Sequence, residues 1–199
     1  MKFRNTQSGY GLIAISLHWI VAAAFIANYI LIFSREWFLD NKSDLARTFI
    51  STHFAIGITV LVFVGLRIFW RLFEKQPDDV PAPKYQHLAA HSVHFLLYAF
   101  MIIMPLTGYL GTGGPSKLFF LIEVPAFKNT AIFATVVEGW MGMNFETFEK
   151  PMDFIHKKIG TYAVLFLFVL HAGAAIYHHF VYKDRVLKRM IVPAKDHES

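Results

Sequence analysis

Cysteine is absent from this chain of 199 residues, and charged residues make up only 17% of it. Without thiols the chain cannot form a disulfide framework, an iron–sulfur cluster or a thiolate zinc site. The low charge and the 55% of hydrophobic residues argue against a soluble enzyme and against a disordered chain. No basic run is present, and the net charge of +5 is spread along the chain, so we expect no nucleic-acid partner.

Four long apolar runs predict membrane-spanning helices. A bilayer core needs about 20 apolar residues in a helix, and each run is longer than a buried soluble helix. The runs cover residues 9–33, 46–69, 85–110 and 151–181. The first run exceeds the apolar part of a signal peptide and lacks a small-residue cleavage site at its end. We therefore predict an all-α integral membrane four-helix bundle, in contact with lipid, that forms one domain over residues 1–199.

The link over residues 111–150 is the longest in the chain. It begins with the turn signal Gly113–Gly114–Pro115, and its apolar stretches 118–124 and 131–148 are too short or too polar to span a membrane. We expect these stretches to lie at the membrane interface as one short amphipathic helix. A link of this length is often functional.

Lysine and arginine are unevenly distributed between the two sides of the predicted bundle. Four spans put both termini on one side, which carries 11 of the 19 Lys and Arg residues but only six of the 14 Asp and Glu residues. Cytoplasmic loops of membrane proteins are enriched in Lys and Arg. We therefore expect a multi-pass protein of the bacterial inner membrane with both termini in the cytoplasm, including the polar tail that contains His197.

Histidine is the most informative residue type, because an ionisable side chain inside a span is costly and usually functional. Five of the ten histidines lie well inside the predicted spans: His18, His53, His94, His156 and His171. At about 1.5 Å of rise per residue, His18 and His171 lie at one depth and His53 and His156 at another. A single such histidine is as often a hydrogen-bonded core residue, but a set at matched depths favours metal ligands.

His156 and His171 are 15 residues apart on one predicted helix. This spacing corresponds to roughly 22 Å along the helix and suits two haem planes in one bilayer. A haem that carries electrons takes two strong axial ligands, and facing helices of a bundle can supply pairs of imidazoles. Zinc and di-iron sites usually recruit carboxylates, and no Asp or Glu lies deep in the spans, so haem is preferred.

His94 is an alternative ligand, because it lies at the depth of His18 and His171. Our preferred interpretation gives it another role. His91 and His94 share one helix face, where they are candidates to hydrogen-bond a quinone or a haem propionate, or to relay protons. We interpret the other three histidines as polar residues at helix ends: His87, His178 and His179.

Arg67 and Arg71 lie four residues apart at the cytoplasmic end of the second span. Arginine binds carboxylates through two parallel hydrogen bonds, so haem propionates are natural partners. Anchoring to lipid headgroups is an equally good interpretation of this pair.

Together these residues resemble the bacterial cytochrome b561 family over residues 8–193. The motifs are SLHW at 16–19, TH at 52–53, LRIFWR at 66–71, AHSVH at 90–94, PLTG at 105–108 and LHAG at 170–173. The resemblance implies a di-haem b protein in which His18 and His171 bind the cytoplasmic-side haem and His53 and His156 the periplasmic-side haem. The family pattern implies a spacing of about 14 residues between the two ligands of the fourth helix, His156 and His171. We therefore predict a π-bulge near Gly160 that absorbs one residue.

The resemblance also implies an activity, because one member of the family is a superoxide oxidase. Such an enzyme takes electrons from superoxide at the periplasmic face and passes them to ubiquinone. Lys157 and Lys158 directly follow His156 and are candidates to attract the superoxide anion, although they also fit a solvated face.

Two other functions remain open at this stage. The chain could be a cytochrome b electron-transfer subunit, whose long link with Trp140, Met141 and Met143 docks a dehydrogenase or a soluble cytochrome. A non-redox transporter or scaffold is the remote alternative, since neither internal repeats nor broken helices are visible.

Overall fold

The computed structural model describes residues 2–194, and His197 lies outside the described residues. Four helices are long and apolar enough to cross a membrane. They are α1 (Leu12–Phe38), α2 (Asp44–Phe73), α3 (Lys84–Gly111) and a fourth helix over Phe145–Tyr182. This confirms the predicted all-α architecture of four spans, and the helix bounds differ from the predicted ones by a few residues.

The fourth helix is composite. It consists of α4 (Phe145–Asp153), a π-helical segment (Phe154–Val164), α5 (Leu165–Tyr177) and a terminal π turn (His178–Tyr182), and the short helix α6 (Val186–Arg189) follows it. The helix begins six residues before the predicted start because Asn144 caps it: the Asn144 side chain accepts a hydrogen bond of 2.9 Å from the Thr147 amide. Pro151 therefore lies inside the helix.

The predicted π-bulge is confirmed. The π-helical segment contains both His156 and Gly160 and ends before His171. A π turn takes up more residues than an α turn, so the segment absorbs the extra residue between the two histidines.

The long helices carry their large apolar side chains on the outside. Phe69, Phe95 and Phe166 are 58%, 72% and 65% exposed. The buried residues are mostly small or β-branched, namely Ala46, Ala55, Val60, Val64 and Val164. This distribution is typical of membrane helices, which face lipid with large apolar groups and pack against one another through small ones.

The described chain divides into two compact units. The first unit contains the residues up to Val21, Phe63–Phe100 and the described residues from Ala163 on, and the second contains Ala22–Val62 and Met101–Tyr162. Each of the four long helices contributes one segment to each unit.

In the second unit, the link after α3 folds on an aromatic core. Phe127, Phe133 and Val137 are buried together, and the partly buried residues packed against them are Tyr109, Leu110, Phe145 and Phe148. Phe133 and Val137 belong to a π-helical segment over Phe133–Trp140. The stretch 131–148, which we expected to form one amphipathic helix, instead forms this π-helical segment and the first turn of α4.

The stretch 118–124 does not form a helix. It contributes to a hairpin in which β1 (Ser116–Leu118) pairs antiparallel with β2 (Ile122–Val124). Phe119 and Phe120 form the turn with φ angles of +52° and +62°, and the Phe119 amide donates to the Thr59 hydroxyl oxygen at 2.8 Å. Two left-handed residues in succession are the requirement of a type I′ turn.

Candidate functional site

The rings of His53 and His156 lie side by side in the second unit, with their centroids 5.8 Å apart and their planes inclined by 75°. The Nδ1 atom of His156 donates a hydrogen bond of 2.8 Å to the carbonyl oxygen of Met104. This bond fixes the ring orientation and leaves the lone pair of Nε2 available, which is the usual arrangement of a metal-bound histidine. Nδ1 of His53 is buried and has no hydrogen-bond partner among the described residues.

The π-helical segment is held by a residue of α1. The Tyr29 hydroxyl donates a hydrogen bond of 2.8 Å to the carbonyl oxygen of Gly160, which is itself buried. Departures from α-helical hydrogen bonding inside a membrane require other groups to satisfy the backbone. Tyr29 supplies such a group and so stabilises the widened turn beside His156.

Three histidines come together in the first unit. The ring centroids of His18 and His171 are 6.2 Å apart, and those of His94 and His171 are 5.3 Å apart. His94 has an exposed side chain, whereas His18 and His171 are half-buried. The proximity of His94 to His171 agrees with the equal membrane depths that the sequence predicts for these two residues.

Arg67 and Arg71 both lie over the ring of Tyr98, with their guanidinium carbons 5.7 Å and 5.4 Å from its centroid. Arg67 is half-buried and belongs to the same unit as the three histidines. The nearby Trp70 has a buried Nε1 atom without a hydrogen-bond partner in the described part of the chain. The unit therefore combines a partly buried cation with an unsatisfied donor, which suits a ligand with carboxylate groups.

The other sequence-predicted residues have more ordinary surroundings. Nδ1 of His87 lies 3.7 Å from an Asp79 carboxylate oxygen, and Nδ1 of His178 lies 2.5 Å from Asp184. These contacts support the interpretation of His87 and His178 as helix-end residues. His91 is exposed.

Lys157 and Lys158 are both exposed, but their surroundings differ. Lys157 donates a hydrogen bond of 2.6 Å to Asp153, so its charge is offset locally. Lys158 is the better candidate for attracting an anion.

The two imidazole pairs fit haem iron. An imidazole nitrogen binds a transition metal at about 2 Å, so imidazoles on opposite sides of one ion have ring centres about 6 Å apart. The separations of 5.8 Å and 6.2 Å match this value, whereas the 5.3 Å between His94 and His171 is shorter. A Cβ atom added at Gly57, Gly65 or Gly173 would meet open space.

Zinc and di-iron chemistry fit less well. Within residues 2–194, no group of three or more His, Asp or Glu side chains is placed to hold a metal ion. Such sites usually need three or four protein ligands. The donor set of two neighbouring imidazoles in each unit suits a metal whose remaining ligands come from a macrocycle.

Two imidazole pairs among four apolar helices fit a membrane-bound haem protein of the electron-transfer class. The chain belongs to the prokaryotic cytochrome b561 family, whose family model matches residues 9–193. Members of this family bind haem b, and the chain is accordingly a multi-pass bacterial membrane protein of oxidoreductase type. The resemblance stated from the sequence motifs is confirmed.

The chain is similar to several curated proteins over nearly the whole length of both sequences. The chain is 28% identical to Cytochrome b561 homolog 2 of Escherichia coli (strain K12), with 96% of this chain and 95% of that protein covered. It is 27% identical to Probable superoxide oxidase CybB of Yersinia pestis, covering 92% and 95%. It is 24% identical to Cytochrome b562 of Cereibacter sphaeroides, covering 94% and 98%.

Sequence reasoning missed several residues of these sites. Asn28 has a buried Oδ1 atom with no hydrogen-bond partner in the described ranges, and Tyr29 follows it. Both are polar residues deep in α1, and that position alone could have identified them. Tyr98 and the Met104 carbonyl gave no comparable signal, because their roles depend on contacts between helices.

Proposed function

We propose that this protein is a di-haem b oxidoreductase that transfers electrons from superoxide to ubiquinone across the inner membrane. The observation that carries the proposal is the pair of neighbouring imidazoles in each unit, whose ring centroids are 5.8 Å and 6.2 Å apart. The relationship to a protein named probable superoxide oxidase supports the choice of superoxide as the donor. When bound, haem b supplies one-electron transfer at its iron.

The residues that would hold the two haem irons are His18 with His171 in the first unit and His53 with His156 in the second. Arg67 is the proposed partner of a propionate in the first unit, because it is a half-buried cation in the same unit as both ligands. Arg71, which is exposed, is the second candidate for this role. Two protein ligands on each iron would leave no open position, as electron transfer without ligand binding requires.

The net reaction oxidises two superoxide ions to two oxygen molecules and reduces one ubiquinone to ubiquinol with the uptake of two protons. Superoxide would approach the second unit, where exposed Lys158 follows the half-buried His156. A local positive charge raises the encounter rate of a small anion.

Ubiquinone would be reduced at the first unit, where His91 and His94 are the proposed hydrogen-bonding and proton-relay residues. Both side chains are exposed, and the His94 ring lies 5.3 Å from that of His171. Imidazole can both donate and accept protons near neutral pH, as quinone reduction requires. The excess of Lys and Arg on the side of both termini supports placing this side in the cytoplasm.

The first test is the haem-to-protein ratio of the detergent-purified protein, measured by pyridine haemochrome with a reduced-minus-oxidised spectrum. We expect two low-spin haems b per chain. Superoxide-driven reduction of ubiquinone by the same preparation then tests the activity. One haem per chain would contradict one of the pairs, and full haem content without superoxide-dependent quinone reduction would contradict the proposed donor.

A second candidate function is that of an electron-transfer subunit for a partner protein. The observation that favours it is the exposed end of the link, where Trp140 is 79% exposed and Met141 50% exposed. Trp and Met are enriched at protein interfaces. Stoichiometric copurification of a dehydrogenase or soluble cytochrome would support this function, whereas full superoxide activity of the isolated protein would argue against it.

A further inference from the structure

The hairpin of β1 and β2 is attached to the middle of a membrane-spanning helix. The Phe119 amide in its turn donates a hydrogen bond of 2.8 Å to the hydroxyl oxygen of Thr59. Thr59 lies 15 residues after the first residue of α2 and 14 residues before its last. At a rise of about 1.5 Å per residue it is roughly 20 Å from both ends, and a bilayer core is about 30 Å thick. The turn of the hairpin therefore lies at the depth of the bilayer core.

The hairpin carries large apolar side chains at its turn. Residues 118–122 have the sequence LFFLI and include no polar side chain. Phe120, Leu121 and Ile122 are 54%, 82% and 59% exposed. Neighbouring exposed apolar groups of this kind mark a contact site for a partner or a membrane. We call residues 119–122 the apolar tip.

The backbone of the apolar tip has an unfavourable conformation for the residues it contains. Phe119 and Phe120 both adopt positive φ angles. Glycine, asparagine and aspartate are the residues that usually occupy such a turn, and a bulky residue there is an outlier. Large apolar side chains thus stand where a turn in water would have small or polar ones. This exchange favours a turn that meets an apolar medium.

The amides of the apolar tip have the hydrogen-bond partners that a lipid environment requires. Each unsatisfied backbone group is costly in the hydrocarbon of a bilayer. Besides the amide that donates to Thr59, the amides of Phe120 and Leu121 donate to the carbonyl oxygens of Lys117 and Leu118, at 3.4 Å and 3.1 Å. Three successive donors of the turn are therefore satisfied without water.

The hairpin has no net charge, and it lies next to an exposed part of α2. Its two charged residues, Lys117 and Glu123, carry opposite charges and are directly paired in the antiparallel register. Val62, three residues after Thr59 and on the same helix face, is 39% exposed. The apolar tip is therefore continuous with the surface through which α2 meets lipid.

We propose that the apolar tip inserts into the hydrocarbon region of the bilayer beside α2 and contacts lipid acyl chains. The link after α3 then has a membrane anchor of its own, separate from the four spans. The bond to Thr59 holds this anchor at depth, and the satisfied amides let it remain there. The inference does not depend on the proposed electron donor or acceptor.

The chain has no cysteine, so Leu121→Cys gives a nitroxide spin label a unique attachment point. Power-saturation EPR of the full chain in liposomes compares collisions of the label with oxygen, which dissolves in lipid, and with a water-soluble nickel chelate. We expect frequent oxygen collisions and roughly ten-fold fewer nickel collisions than for Lys42→Cys, because hydrocarbon excludes polar solutes. Lys42 is exposed in the turn before α2 and is the water reference. Phe166→Cys, at an exposed position on α5, is the lipid reference.

The same measurement separates the other possible surroundings of the apolar tip. Nickel collisions as frequent as for Lys42→Cys would place the tip in water and overturn the proposal. Rare collisions with both reagents would indicate a protein cover, such as a second copy of the chain, and would also overturn it. Lys117→Cys, at the base of the hairpin, should be more accessible to nickel than Leu121→Cys, and the reverse order would show that the tip points out of the membrane. Ile122→Cys repeats the test at a second tip position, and unchanged haem spectra would establish that the labelled variants are folded.

Discussion

A Cβ atom at Gly108 would lie 2.8 Å from the Cε1 atom of the His156 ring. Real Cβ contacts essentially never occur at this distance, so the ring of His156 occupies the place where any larger residue of α3 would put its side chain. The same ring donates its Nδ1 hydrogen to the Met104 carbonyl, one turn earlier on α3. This helix therefore positions the histidine from two sides.

Gly108→Ala should displace the His156 ring and release the haem of the second unit. We expect the haem-to-protein ratio to fall from two toward one, as measured by pyridine haemochrome. Gly114→Ala is the control, because a Cβ atom there meets no described atom within 4 Å. Wild-type haem content and spectrum in Gly108→Ala would contradict the assignment of His156.

The two candidates to pair with His171 can be separated by substitution. His18→Ala should remove the haem of the first unit, because His18 lies at the separation that suits a shared iron. His94→Ala should keep two low-spin haems and slow only quinone reduction. If instead His94→Ala lost a haem and His18→Ala kept both, the axial pair would be His94 with His171. Haem content and steady-state ubiquinone reduction are the two measurements.

Tyr29→Phe should lower the stability of the π-helical segment. The substitution removes the hydroxyl that donates to the Gly160 carbonyl and leaves that buried oxygen with one fewer donor. We expect a loss of about 1 kcal/mol, which corresponds to roughly 2–4 °C in the thermal midpoint of a chain of this size. Tyr162→Phe, on the same helix and 70% exposed, should leave the midpoint unchanged. Equal midpoints for the two variants would contradict the role of Tyr29.

Arg67→Gln should lower the midpoint potential of one haem. A nearby positive charge stabilises the added electron, and Arg67 is a half-buried cation in the same unit as His18 and His171. Arg47→Gln removes a charge that pairs with Asp44 in the second unit and serves as the control. A spectroelectrochemical titration measures both. No shift in Arg67→Gln, or the same shift in both variants, would argue against a haem beside Arg67.

Lys158→Glu should slow superoxide oxidation and flatten its dependence on ionic strength. The attraction between an anion and a local positive charge is screened by salt, so the wild-type rate should fall as salt rises. Lys42→Glu makes the same charge change at an exposed position in the turn before α2 and should have little effect. Stopped-flow kinetics at several salt concentrations distinguish the two. A salt dependence of Lys158→Glu equal to that of the wild type would exclude steering by this residue.

The sequence was sufficient to predict the spans and the grouping of the histidines, because both depend on period and length along a helix. Inside a bilayer, the backbone N–H and C=O groups of an apolar run find hydrogen-bond partners within the run only when it forms a helix. A rise of about 1.5 Å per residue then assigns each histidine a depth. The family resemblance added the π-helical segment, because the spacing of His156 and His171 is one residue longer than the family pattern implies and the extra residue must be accommodated within the helix.

The remaining details depend on contacts between elements and could not be predicted. Phenylalanine is not among the residue types that favour a left-handed turn, so the sequence at Phe119 and Phe120 did not predict a hairpin. Asn144 caps the fourth helix, which begins six residues before the predicted start, because the apolar run from 151 did not include the polar first turns of this helix. The contacts of His156 with the Met104 carbonyl and with Gly108 could not be predicted, because neither a backbone carbonyl nor a glycine gives a chemical signal in the sequence.

The π-helical segment over Phe154–Val164 also makes the fourth helix tolerant of a change in chain length. In a regular α-helix, a one-residue deletion rotates everything beyond it by about 100° and turns downstream ligands away from their partners. Here the same deletion would let the wide turn relax to α geometry and leave His171 in register. Relatives with one residue fewer between these histidines can therefore share the same architecture, and a gap in their alignment with this chain belongs within this segment.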